Sequence, residues 1–131
     1  MRFMSVLVVA VAITALFASL SMSAAKEEQA VIVYLKLSDD KFGASGETFA
    51  LYDVEDALGK AVKNVGELDG EEIGGGYFTI YTYGPDADAM LHAMVSALAR
   101  QSVKRGSYVV VRHGPPGTNS QRIELPITLN H

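Results

Sequence analysis

The 131-residue sequence contains no cysteine and no tryptophan, and only three histidines and four prolines. Without a thiol there can be no disulfide staple, no thiolate metal site and no cysteine nucleophile. His92, His113 and His131 leave little imidazole for metal or acid–base chemistry. No Gly-x-Ser-x-Gly, His-Glu-x-x-His or phosphate-binding glycine loop occurs, and no cofactor is expected. Positive charge is sparse as well. Eleven Lys and Arg face 15 Asp and Glu, a formal net charge of −4, and the one local gathering of cations is Lys104-Arg105. Nucleic acids and anionic membranes are bound by clustered cations, so neither is an expected partner.

What the chain does have begins at its start. Arg2 precedes an uncharged apolar run from Phe3 to Leu20, which closes on Ser-Met-Ser-Ala-Ala. A positive charge, an apolar stretch and small residues in that order form a secretory signal. Ser23 and Ala25 at the −3 and −1 positions place cleavage before Lys26, with cleavage before Ala24 as the alternative. No lipid-anchor cysteine follows. An uncleaved anchor is the competing reading, because Phe3 to Ala25 is long enough to span a bilayer with some tilt. The expected division is therefore a signal peptide, 1–25, and one domain, 26–131, exported to a periplasmic or secreted location. Loss of Arg2 takes the formal charge from −4 to −5. A domain of this size buries roughly 60–70% of its unfolded surface, enough for a single core.

Ala30 to Leu37 is rich in β-branched and aromatic residues and predicts a strand, ended by the turn chemistry of Ser38 to Gly46. From Glu47 to Asn64 the period lengthens: Leu51, Val54, Leu58, Ala61, Val62 and Val65 recur at three- and four-residue steps, which predicts a helix. Ser45 is its candidate N-cap and Gly66 its stop. Gly59 lies inside that helix, where close approach to a sheet would explain it. Glu67 to Gly76 supports at most a weak edge strand. Tyr77 to Tyr83 alternates clearly and predicts a strong one, stopped by Gly84-Pro85. Asp86 is placed to cap a second helix through about Arg100, with Met90, Leu91, Met94, Val95 and Leu98 as its apolar face. Tyr108 to Arg112 is a further strand, and Arg122 to Thr128 a last one at an edge, because it contains Pro126.

The order β-α-β-β-α-β plus a terminal strand predicts an α+β, ferredoxin-like sandwich with both helices on one face of an antiparallel sheet. Tyr-Gly-Pro-Asp-Ala-Asp-Ala at 83–89, a helix, and Arg-His-Gly-Pro-Pro-Gly at 112–117 resemble small bacterial ferredoxin-like α+β proteins of no assigned activity. The resemblance covers about half of the mature domain; it implies the fold and brings no catalytic residue.

With helices on one face, alternation decides what the other face carries. Phe78 and Ile80 belong with Val31, Val33, Leu35, Leu37, Val109 and Val111 in the core. Tyr34, Tyr77, Tyr81, Tyr83 and Tyr108 then collect on the open face, joined by Arg112, and these six are the candidate binding residues. Tyrosine gives wide contact area with a polar tip and is enriched at interfaces. The face is a solvated sheet surface, the seal of a homodimer, or a surface for an unidentified ligand or protein.

Other candidates are thinner. Asp69, Glu71 and Glu72 beside three glycines lack the spacing of a calcium loop and read as an acidic hairpin. His113 could carry a proton with Glu124 or Asp69 as its partner, the basis of an enzymatic alternative; His92 reads as an exposed helix residue. The function expected is a non-enzymatic binding or interaction module, dimeric or partner-bound. A small enzyme and an envelope-acting inhibitor are the rivals. The leader generates the first testable statement: N-terminal sequencing of exported material should return Lys26 or Ala24, and intact Met1 in the membrane fraction would exclude cleavage.

Overall fold

A computed structural model describes residues 28–127. The signal segment 1–25, the end of the last predicted strand at Thr128 and His131 lie outside the described residues. The elements run β1 (Gln29–Lys36), α1 (Glu47–Val62), β2 (Glu67–Gly74), β3 (Tyr77–Gly84), α2 (Ala87–Ala99), β4 (Tyr108–Arg112) and β5 (Ser120–Glu124).

The strands form one sheet in the order β2-β3-β1-β4-β5, with every neighbouring pair antiparallel. This α+β arrangement is compatible with the ferredoxin-like order and carries β5 as an additional edge. β1 lies in the middle, paired to β3 from Gln29↔Gly84 to Lys36↔Tyr77 and to β4 from Ala30↔Arg112 to Tyr34↔Tyr108. Because side chains alternate along a strand, this register sends Val31, Val33, Leu35, Phe78, Ile80, Val109 and Val111 to the same side. All are buried there with Leu58 and Val62 of α1 and Met90, Met94 and Leu98 of α2. Thr82 takes the third inward position of β3; its buried hydroxyl is satisfied by donating to Val31 O at 2.6 Å.

β2 and β3 are joined by Gly75 and Gly76 at φ 60° and 86°. Positive φ at both central residues is the geometry a two-residue hairpin turn requires, and glycine adopts it without a Cβ clash. The segment 67–74, weak in apolar residues, is thereby a full eight-residue edge strand, with a bulge between Leu68 and Gly70. Gly66 and Gly84 meet where the chain leaves α1 over the end of β3. A Cβ on Gly66 would lie 2.8 Å from Tyr83 O, and one on Gly84 would lie 2.8 Å from Val65 O.

Four details differ from the sequence reading. α1 is not capped by Ser45. Gly46 occupies the N-cap at φ 78° with no side-chain bond, and the adjacent loop is tied by Glu47 instead. The Glu47 carboxylate accepts from Ser38 N (2.8 Å), Ser38 Oγ (2.6 Å) and Ala44 N (2.7 Å). The Ser38 hydroxyl, ahead of the backbone N–H groups and Lys104, holds that carboxyl below its usual range. α1 also ends at Val62, where Val65 N and Gly66 N both donate to Val62 O. Gly59 is not demanded by close packing, since a Cβ there would make an ordinary 3.5 Å contact with Leu68. The final strand is Ser120–Glu124 and stops before the proline. Leu125 turns into the core and gives its N–H to Ser107 O at 3.0 Å, and Pro126 has no N–H to continue a ladder. Asp86, by contrast, caps α2 as the sequence predicts, accepting from Ala89 N at 3.1 Å.

Phe78 is fully buried, with Tyr52 of α1 set edge-on against it at 5.4 Å. Truncation to Ala removes the largest side chain of the core and should cost roughly 3–5 kcal/mol. Phe78→Ala should therefore melt roughly 15 °C or more below the parent in a circular-dichroism scan. A shift of only a few degrees would mean that the faces of β3 are exchanged.

Candidate functional site

Among the described residues no helix covers the other face of the sheet, and the register fixes which side chains stand on it. Tyr34 lies opposite Thr79 on one side and Tyr108 on the other; Tyr77 lies opposite Lys36, Tyr81 opposite Ile32 and Tyr83 opposite Ala30. The five predicted tyrosines therefore share one face, and Tyr52 stands on the helix side. Each of the five is half-buried rather than free in water.

They form two groups. Tyr34, Tyr77 and Tyr108 make a three-ring cluster. Tyr34 stacks on Tyr108 at 4.5 Å and 13°, and Tyr77 presents an edge to both, at 6.0 Å from Tyr34 and 5.6 Å from Tyr108. Stacked and edge-on arrangements at these separations are the favourable ones for the ring quadrupole. Tyr81 and Tyr83 form the second group, nearly parallel at 6.5 Å. Tyr81 Oη donates to Glu72 Oε2 at 2.9 Å. Burial and then that carboxylate push the Tyr81 phenol up to about 12. Burial, followed by Tyr34 and Tyr77, also raises Tyr108.

Two cations complete the cluster and were not among the predicted site residues. The Arg122 guanidinium lies over the Tyr108 ring at 3.6 Å, and Lys36 Nζ lies 5.0 Å from the Tyr77 centroid. A cation over an aromatic face is attracted by about 0.5–2 kcal/mol. Glu124 accepts from Arg122 Nε at 2.6 Å and holds the guanidinium more firmly protonated. Lys36 is also tied to Asp40 at 3.3 Å. Lys36 was legible, since it alternates with Tyr34 along β1. Arg122 required the pairing of β5 to β4, which sets it opposite Val110.

Arg112 is on the predicted face but faces a different task. Its Nε donates to Gly114 O at 2.8 Å, which binds the side chain to the loop after β4 rather than to the tyrosines. His113 is likewise placed differently from the acid–base pairs considered for it. Its Nε2 lies 2.8 Å from Asp88 Oδ1 in the first turn of α2. Glu124 is engaged by Arg122, and Asp69 is on β2 at the opposite edge of the sheet. The His113 and Asp88 side chains are 45% and 75% exposed, so the pair is a surface contact that ties the β4–β5 loop to α2. The acids of the hairpin do not converge either. Glu72 turns to Tyr81, while Glu71 stands opposite Ile80 on the helix side. Among the described residues no group of three His, Asp or Glu side chains is placed to hold a metal ion.

The open face thus offers a half-buried aromatic centre on β1, β3 and β4 and the Arg122–Glu124 ion pair at the β5 side. Acids stand at the β2 side, where Glu67 and Glu72 pair with Tyr83 and Thr79. Such a surface can bury apolar area and pair charge at its rim. No family model, curated protein or solved structure matches this chain.

Proposed function

We propose that this chain is an exported, non-enzymatic interaction module that pairs with a second copy of itself through the tyrosine-bearing face of its sheet. In this reading 1–25 is a cleaved signal, and the domain is a ferredoxin-like sandwich extended by β5, akin to the small bacterial proteins that 83–89 and 112–117 resemble. The observation that carries it is the Tyr34–Tyr77–Tyr108 cluster on a sheet face that no helix among the described residues covers. Interfaces are driven by central, rigid aromatic groups surrounded by a polar rim, and this face has that layout.

Charge supports a second copy as the occupant. β1 is the middle strand, so a two-fold axis running along it in the interface plane lays β2 of one copy over β5 of the other. Glu67 and Glu72 on β2 then approach Arg122, which Glu124 on the same face of β5 also pairs. An axis perpendicular to the strands would set β2 over β2 and oppose like charges.

Tyr34 is the residue to test, because it stands on the middle strand at the junction of both ring contacts. In sedimentation at micromolar concentration the parent should be dimeric. Tyr34→Ser should remain folded and dissociate roughly thirty-fold more readily, the loss of a hot spot worth about 2 kcal/mol. A parent that is monomeric under these conditions overturns the dimer. Association with another protein that weakens steeply with salt would favour the inhibitor reading instead.

A further inference from the structure

The groove between α1 and β2 holds a pair of acids that the tyrosine face does not use. Glu55, Asp56, Gly59 and Lys60 of α1, Lys63 just after it and Leu68 of β2 line an open cavity of about 430 Å³. At its inner wall Glu55 Oε2 is buried with no hydrogen-bond partner, the one side-chain atom so placed among the described residues. Glu71 stands opposite Ile80 in the β2–β3 ladder, which turns it toward the helices and brings it within hydrogen-bonding reach of Glu55.

Two ionised carboxylates are acceptors only and cannot bond to each other. A single proton between them turns the contact into a short, charge-assisted O–H···O bond and gives the buried carboxyl the partner it lacks. The surroundings favour that proton. Asp56 adds like charge from the next position of α1. β3 turns Phe78, Ile80 and Thr82 to this side, and α2 turns Met90, Met94 and Leu98 to the core, none of them charged. Lys60 and Lys63 line the outer groove, and among the described residues neither pairs with Glu55. Burial first, then the hydrogen bond and the charge of Glu71, raise the Glu55 carboxyl from 4.5 to about 7.

We propose that Glu55 and Glu71 form a proton-operated latch on the edge strand: one shared proton holds β2 against α1, and ionisation of both carboxylates loosens it. The folded chain binds more protons than the unfolded chain between 4.5 and about 7. Stability from the latch is therefore fully present below 4.5 and is lost as pH rises through about 7. The loosened strand also carries Glu72, the acceptor for Tyr81 on the opposite face, so the protonation state reaches the rim of the tyrosine surface. The latch does not depend on dimerisation.

The test compares the parent with Glu55→Gln and Glu71→Gln at pH 5 and pH 8.5. Histidines also change charge near neutral pH, so the difference between parent and variant carries the result. A glutamine amide donates to the remaining carboxylate at either pH, so the variants should keep the strand closed. From pH 5 to pH 8.5 the parent should lose roughly 4 °C or more of Tm beyond what either variant loses. Hydrogen-exchange protection of the 67–74 amides should fall several-fold over the same interval in the parent alone. If one variant does not fold, the other and the parent's exchange profile decide. Parent and variant Tm curves that run parallel, or β2 protection factors equal at both pH values, would overturn the latch.

Discussion

β1 is hydrogen-bonded on both of its edges, and that double pairing governs both faces of the molecule. Strand periodicity of two commits Val31, Val33 and Leu35 to one side and Ile32, Tyr34 and Lys36 to the other. The same two ladders impose the division on β3 and β4. A one-residue slip of β1 would exchange the faces, placing tyrosines under the helices and valines in the open. With no disulfide to hold it, the fold relies on burial to enforce this register. The aromatic surface is therefore a consequence of the core: the rings meet because the valines, Phe78 and Ile80 pack beneath α1 and α2.

Elements whose periodicity is strong and whose burial is one-sided were legible in the sequence. β1, β3, β4 and both helices carry apolar positions at steps of two or of three and four, and the tyrosine face followed from that alternation. The poorly legible parts depend on contacts distant in the chain. β2 has little apolar content of its own and exists because a two-glycine turn delivers it to β3. Ser45 has the right chemistry for a cap, but the loop uses the longer reach of Glu47 to collect donors from Ser38 and Ala44. The end of β5 is decided by Leu125, whose backbone is claimed by Ser107, a residue outside its own hairpin loop.

Among the candidate site residues the division is the same. The tyrosines were found because alternation alone assigns a face. Arg112 shares that face, yet its guanidinium is held by Gly114 two residues away, a local contact that alternation does not encode. Arg122 lies over Tyr108 through a pairing that needs the whole β4–β5 hairpin in register. His113 met Asp88, 25 positions earlier in the chain, because α2 begins beside the end of β4. Face and period can be read from neighbouring residues; side-chain partners across elements require the topology.

The two rims of the sheet are unlike each other, yet neither invites another strand. β2 is broken by the bulge at Leu68–Gly70 and bears Glu67, Asp69, Glu71 and Glu72 along its length. β5 is only five residues long and is followed by Pro126. Bulges, charge, brevity and proline are the means by which sheet proteins prevent open-ended polymerisation along the hydrogen-bonding direction. Growth of the sheet by strand addition is thereby disfavoured at both of its edges.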